Sequence, residues 1–281
     1  MNILVLGQAG MLGRSVVREL LGNAPVSGLS REALDVTDEL SVRRVIRAIK
    51  PTHIINCTAF RSVDGCEQNH VAATKANVHA VKYIVDSAKD VSAKVIHFST
   101  DYVFDGAKNA PYIEEDAVCP LQAYGLSKLT GERIALEAGH TVFRVQWLYG
   151  DGKENFIDWV AGSVLSYKSI PIASFQEGCP TSTVFVAKIV SMAIKSGLES
   201  GLYHLAHDDY TNRWDCAAFI ATYFSVNPYL VFEKTDKNFG IAKRPGNTVL
   251  NSERLRNALG VRSLGDWQSD LSDYLRSKYA K

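Results

Sequence analysis

Long apolar runs are missing from this chain, and no stretch approaches the roughly 20 residues that a membrane helix requires. Cysteine is sparse and unpatterned. Cys57, Cys66, Cys119, Cys179 and Cys216 are five in number and form no C-x-x-C pair, so they signal neither a disulfide framework nor a zinc site and read as buried, reduced thiols. An excess of one charge is missing too. Lys and Arg total 31 against 30 Asp and Glu, a formal net charge of +1 with no basic run, so neither nucleic acid nor an anionic membrane is expected as a partner. No basic segment precedes an apolar stretch at the N-terminus, so no secretory signal is expected and the expected location is cytoplasmic. Repeats, low-complexity tracts and flexible linkers are absent. What remains is an ordinary globular composition, 281 residues with 46% apolar and 22% charged, enough for one large domain or two smaller ones.

Short apolar runs alternate with amphipathic stretches through the first half. Residues 2–6, 53–59, 94–99 and 141–147 read as strands buried on both faces. Helices are expected over 14–21, 72–89 and 124–136, and another where Val42, Val45, Ile46 and Ile49 recur before Pro51. That alternation predicts an α/β fold with a doubly wound parallel sheet. Beyond about residue 150 the rhythm loosens, with helices expected over 156–167, 184–195, 213–224 and 252–259 and short strands over 170–173, 202–205 and 230–234. The expected organisation is a sheet domain over 1–150, joined by parts of about 182–200 and 240–250. The remainder of about 151–281 would form a smaller α/β lobe packed over the carboxyl ends of the strands, where open α/β sheets bind ligands.

The first strand is followed at once by Gly7-Gln8-Ala9-Gly10-Met11-Leu12-Gly13 and then by a helical pattern. Glycines three apart permit a tight turn and let a pyrophosphate approach the free N–H groups of a helix N-terminus. A plain turn would look alike, but the strand before and the helix after favour a dinucleotide. Enzymes that prefer the non-phosphorylated cofactor usually place an acid near the end of the second strand. Here Val26-Ser27-Gly28-Leu29-Ser30-Arg31 carries none before Glu32. Arg31, assisted by Ser30, suits a 2′-phosphate; the alternative is a merely solvated arginine. NADPH is therefore the preferred cofactor, with NADH the alternative, and Asp35-Val36 would flank the adenine.

Tyr124-Gly125-Leu126-Ser127-Lys128 is a Y-x-x-x-K pair whose spacing puts both side chains on one helical face. An ammonium nearby would lower the tyrosine pKa from its usual value of about 10. About 25 residues earlier, at the end of an expected strand, lies Ser99-Thr100-Asp101-Tyr102-Val103-Phe104-Asp105-Gly106. A hydroxyl there can share a substrate carbonyl oxygen with the tyrosine.

With these parts the chain resembles the extended short-chain dehydrogenase/reductase superfamily and, more narrowly, the dTDP-4-dehydrorhamnose reductase family. The resemblance runs nearly end to end. It includes the glycine turn, residues 34–38, Val63-Asp64 with Glu67, the 99–106 segment, Tyr124 and Lys128, and Arg144 with Trp147 and Tyr149. It continues through residues 178–181 and 201–205 to Arg244-Pro245-Gly246-Asn247. It implies a Rossmann-like fold, a nucleotide-sugar substrate, a homodimer, and NAD(P)H-dependent reduction at C4 of a nucleotide-linked 4-keto-6-deoxyhexose, dTDP-4-dehydro-L-rhamnose first. Tyr124 would protonate the carbonyl oxygen and Thr100 would hydrogen-bond it. Lys128 would hold the nicotinamide ribose, and Val63, Asp101 and Trp147 would line the sugar pocket. Arg244 would meet the diphosphate, an interdomain salt bridge being its alternative.

The chain departs from the family pattern at Ala59-Phe60-Arg61-Ser62-Val63-Asp64, where Arg61 replaces a small hydroxyl residue. Arg61 either reaches a phosphate of the cofactor or substrate or turns to solvent. Arg14-Ser15 stand where some members carry a metal-binding acid, so no metal is expected. Arg61 is also reminiscent of the regulatory beta subunit of methionine adenosyltransferase. A reductase or epimerase of a UDP-, GDP- or CDP-linked sugar and a non-catalytic subunit are the alternatives. His204 and His207 read as packing, as do Phe156, Trp159 and Val160 and Cys179, while Ser127 and His140 lack the setting of a hydrolase triad.

Overall fold

The computed structural model describes residues 1–22 and 24–279. Six strands form the central sheet: β1 (Ile3–Leu6), β2 (Val26–Leu29), β3 (His53–Asn56), β4 (Lys94–Thr100), β5 (Thr141–Val145) and β6 (Leu202–His204). They lie in the order β6-β5-β4-β3-β1-β2, and every neighbouring pair is parallel. The chain therefore winds outward in two directions from the β1/β3 boundary, and a crevice opens beyond the carboxyl ends of those two strands.

The sequence of β1 shows why the sheet has two covers. Ile3 and Val5 pack with Val16 and Leu20 of α1 (Met11–Leu20) on one face, together with Val186 and Val190 from a helix spanning Thr183–Ser196. Leu4 and Leu6 pack on the other against Val42 and Ile46 of α2 (Glu39–Ile49) and Ile84 of α3 (Ala80–Asp90). Side chains alternate across a strand, so four apolar residues in a row fill both faces, each contributing about 1.5–3 kcal/mol on full burial.

The lobe is built from α5 (Phe156–Leu165) and α7 (Arg213–Tyr223), with α4 (Ala123–Glu137) and α6 (Thr183–Ser196) belonging to the sheet layers. Ile157, Val160, Ile172, Ile220, Phe232 and Leu271 share its apolar cluster, and Ile170–Ala173 pairs in parallel with Phe232–Thr235. A helix not foreseen from sequence, α8 (Trp267–Tyr279), closes the lobe. Its Asp270 accepts from the Ser182 backbone and hydroxyl and from Tyr149, and faces His207 at 3.1 Å. Among the described residues, no helix is long and apolar enough to cross a membrane.

Three expectations are corrected. The 202–205 strand, placed in the lobe from sequence, is β6 and extends the main sheet, because Tyr203 and Leu205 bury on the same face as Phe143. The single helix expected over 72–89 is a helix at His70–Thr74, a wider π turn at Lys75–His79 and then α3. A Cβ on Gly131 of α4 would lie 2.3 Å from the Asn77 carbonyl oxygen, so α4 presses directly on that turn. Of the cysteines, Cys66, Cys179 and Cys216 are buried, but Cys57 is half-buried and Cys119 exposed.

Arg144 of β5 donates through Nε to Glu132 of α4 at 3.0 Å, and a second nitrogen reaches the other carboxylate oxygen. Its remaining nitrogen lies 3.3 Å from Nε2 of His204 on β6, and both charged side chains are almost wholly buried. Removing one partner of such a pair leaves an uncompensated buried charge. Glu132→Ala is therefore expected to lower unfolding free energy by about 3–5 kcal/mol, read as a fall in the urea midpoint. An unchanged midpoint would show that the pair does not hold α4 in place.

Candidate active site

The glycine turn forms the floor of a crevice of about 630 Å³ at the β1/β3 boundary. Gly7 has φ +80°, and a Cβ there would press on Cys57 and Thr58, while a Cβ on Gly13 would come within 2.2 Å of the Gly7 carbonyl oxygen. Gly10 caps α1 without a side-chain hydrogen bond, and no acid stands in its first turn. The N–H groups there are thus free for an anion, which fits the diphosphate of a dinucleotide.

Among the residues expected to bind cofactor, Gly7, Gly10, Arg31, Asp35, Val36, Ala59 and Phe60 line this crevice. Gln8, Leu12, Gly13 and Ser30 are not in its lining: Gln8 lies against Gly28, and Leu12 joins the core. Arg31 is exposed and stands 4.0 Å from Asp35. The Asp35 carboxylate accepts from the Thr37 backbone and hydroxyl, which holds it below the usual carboxylate range. Lys75 and Lys153 also line the crevice, and sequence reading had marked neither.

Met11 and Arg61 continue the lining into an inner cavity of about 340 Å³, where they meet Val63, Thr100, Asp101, Tyr124 and Trp147. Arg61 is exposed at its rim. Gly125 lets α4 seat against the loop after β4, since a Cβ there would lie 2.1 Å from the Tyr102 carbonyl oxygen. Gln122 caps the helix by accepting from the Gly125 N–H. Thr100 donates to Asp101 at 2.9 Å, and Thr248 donates to the other Asp101 oxygen at 2.6 Å. Burial still dominates and pushes the Asp101 carboxyl up to about 6.

The Tyr124 pKa departs from expectation. Burial and then Asp101 push it well above the usual tyrosine value, with only the Thr100 hydroxyl pulling it down. The Lys128 ammonium does not offset them, because it is buried beneath the cavity, donating to the Phe98 carbonyl with His97 Nε2 at 3.4 Å. Burial lowers Lys128 to about 8. Lys128 therefore shares a helical face with Tyr124 without lining the cavity.

An outer cavity of about 430 Å³ adjoins the inner one, and Tyr102, Phe156 and Arg213 line both. Phe156 and Trp159, read from sequence as packing, face this space. Arg244 lines it too, but its charge is already paired: its two terminal nitrogens reach the two Asp64 oxygens at 3.2 and 2.8 Å, and one also donates to the Ala242 carbonyl. The geometry thus realises the salt-bridge alternative. Arg213 was not singled out from sequence, and its guanidinium lies 3.6 Å from the Trp147 ring centre and 4.5 Å from that of Phe156. Asn77 was also missed. It accepts from the Phe60 N–H and donates to the Phe60 carbonyl and Ser127 hydroxyl, fixing the loop between crevice and cavity.

A doubly wound sheet with a glycine-turn crevice, and a Tyr-x-x-x-Lys helix facing a strand-end threonine, define the class of extended short-chain dehydrogenases/reductases. The family model described as RmlD substrate binding domain matches residues 1–280. The chain is 34% identical over 274 residues to a dTDP-4-keto-6-deoxy-D-glucose reductase of Streptomyces niveus, covering 96% of this chain and 94% of that one. It superposes on the crystal structure of a dTDP-4-dehydrorhamnose reductase of Clostridium acetobutylicum with a TM-score of 0.92 and 31% identity, covering 99% of both chains. Against the Bacillus anthracis dTDP-4-dehydrorhamnose reductase in complex with NADP the TM-score is 0.93 at 25% identity, covering 99% of this chain and 100% of that one. This chain belongs to the dTDP-4-dehydrorhamnose reductase family.

The raised Asp101 pKa has a measurable consequence. Between the unfolded value of 3.8 and about 6 the folded state binds the extra proton, so this group's contribution to stability is lost as pH rises through that window. Asp101→Asn should therefore gain on the parent protein, by up to about 3 kcal/mol, between about pH 4 and about pH 7. A stability difference that does not change with pH would contradict a buried, destabilised carboxylate.

Proposed function

We propose that the protein reduces the C4 keto group of a dTDP-linked 4-keto-6-deoxyhexose with NADPH, with dTDP-4-dehydro-L-rhamnose as substrate and dTDP-L-rhamnose as product. The observation that carries this reading is the placement of Tyr124 and Thr100 in one cavity whose lining residues Met11 and Arg61 directly follow Gly10 and Phe60 of the glycine-turn crevice. NADPH bound in that crevice supplies the hydride. Gly7, Gly10 and the first turn of α1 would receive its diphosphate, and Arg31 its 2′-phosphate. To hold the nicotinamide ribose, Lys128 would have to turn its ammonium from the Phe98 carbonyl into the cavity. The name of the Bacillus anthracis complex supports the choice of NADP.

The protein's own part is the proton. Reduction of a carbonyl consumes one proton as the oxygen becomes hydroxyl, so the tyrosine must stay protonated at working pH. Burial and Asp101 do this by holding Tyr124 up. Thr100 would become a second donor to the same oxygen by turning its hydroxyl hydrogen away from Asp101, to which it donates here. Trp147, Val63 and Asp101 form walls that orient the sugar, which is where enclosure and near-attack positioning lower the barrier.

The Streptomyces niveus relative supports a second substrate, the unepimerised dTDP-4-keto-6-deoxy-D-glucose. NADPH oxidation with that keto sugar, in the presence and absence of a 3,5-epimerase, separates the two. Oxidation that requires the epimerase establishes the rhamnose route, oxidation without it the second reading, and none in either case removes both. Tyr124→Phe should reduce turnover by about 10²–10⁴-fold with NADPH binding retained, and full turnover in that variant would take the phenol out of the reaction. Arg31→Ala should weaken NADPH by about tenfold or more relative to NADH, as expected for loss of a charge-assisted hydrogen bond; equal losses in titration would remove the 2′-phosphate contact.

A further inference from the structure

Arg213 is the first residue of α7, and its guanidinium stands in the partition between the inner and outer cavities. It lies over the Trp147 ring, 3.6 Å from its centre, and over the Phe156 ring, 4.5 Å from its centre. Among the described residues nothing takes its N–H donors: its backbone N–H bonds the Gln176 carbonyl, but the guanidinium makes no hydrogen bond or ion pair. The other arginine of the outer cavity is neutralised by Asp64. Lys237 adds a further cation to that wall, whereas among the described residues no carboxylate lines it. The nearest acid on the inner side, Asp101, already accepts from Thr100 and Thr248. A guanidinium held against two rings, with its donors unpaired among the described residues, is prepared for a planar, bidentate acceptor such as a phosphoryl group. The backbone that holds this stack is itself constrained: Trp147 has φ +44°, and a Cβ on Gly178 would press into its ring.

Resting on the proposed reduction of a nucleotide-linked keto sugar, we infer that Arg213 grips the diphosphate where the substrate crosses from the inner cavity, which takes the sugar, to the outer cavity, which takes the nucleoside. The sequence had pointed to Arg244 for this contact. The structure leaves Arg244 to brace the 240s loop against Asp64 and Arg213 as the open donor.

Calorimetric titration of the full-length protein with thymidine and with dTDP tests this without any turnover. The parent protein should bind dTDP at least about tenfold more tightly than thymidine, and Arg213→Met should lose most of that increment while binding NADPH unchanged. Arg213→Lys keeps the charge without the fork and should retain only part of it, which covers the case of a Met variant that does not fold. In steady state the Lys variant should raise KM for the nucleotide-linked keto sugar and not for NADPH. Full retention of the diphosphate increment in both variants would overturn the inference and leave the proposed reaction standing. A parent protein that neither favours dTDP over thymidine nor reduces any nucleotide-linked keto sugar would overturn both.

Discussion

The buried pair of Arg144 and Glu132 sets the position of α4, and α4 carries both Tyr124 and Lys128. The guanidinium sits on β5, reaches across to α4 and touches His204 on β6, so one side chain ties a helix to two neighbouring strands. Burial of an ion pair is not by itself a source of stability, because desolvation offsets most of the attraction. What the pair imposes is geometry: only one placement of α4 satisfies both charges. Gly125 and Gly131 then allow that placement, the first against the loop after β4 and the second against the π turn that carries Asn77. Residues from four separate segments, Val63, Thr100 with Asp101, Tyr124 and Trp147, thereby meet in one cavity.

In and beneath the cleft, three ionisable groups are held where water would otherwise stabilise them better. Asp101 is raised by burial although two hydroxyls donate to it, Lys128 is lowered, and Arg213 lies over aromatic rings with no acceptor among the described residues. The three are spread along the path from the sheet to the lobe. They lie at different points: Asp101 in the inner cavity with Tyr124, Lys128 beneath that cavity against the Phe98 carbonyl, and Arg213 at the partition between the two cavities.

Much of this was legible in the sequence. Continuous apolar runs such as that of β1, the glycine turn and the Tyr-x-x-x-Lys spacing are local patterns, and they predicted the sheet, the crevice and α4. The residues that were missed owe their roles to distant partners. Arg213 matters because Trp147 and Phe156 stack on it. Arg244 is occupied because Asp64 comes from another segment, and Asn77 lies on a π turn that apolar periodicity does not register. Lys128 was identified correctly as a neighbour of Tyr124 on the helix, but helical spacing does not reveal that its ammonium turns down to Phe98 and His97. β6 was assigned to the lobe because its place in the sheet depends on pairing with β5.

The central claim is that hydride from NADPH reaches C4 of a dTDP-linked keto sugar in this cleft. Reaction with NADPH deuterated at the transferred position, followed by mass spectrometry and NMR of the sugar product, tests it most directly. The account predicts one deuterium per product molecule, located at C4. Product without deuterium, or label at another carbon, would contradict it.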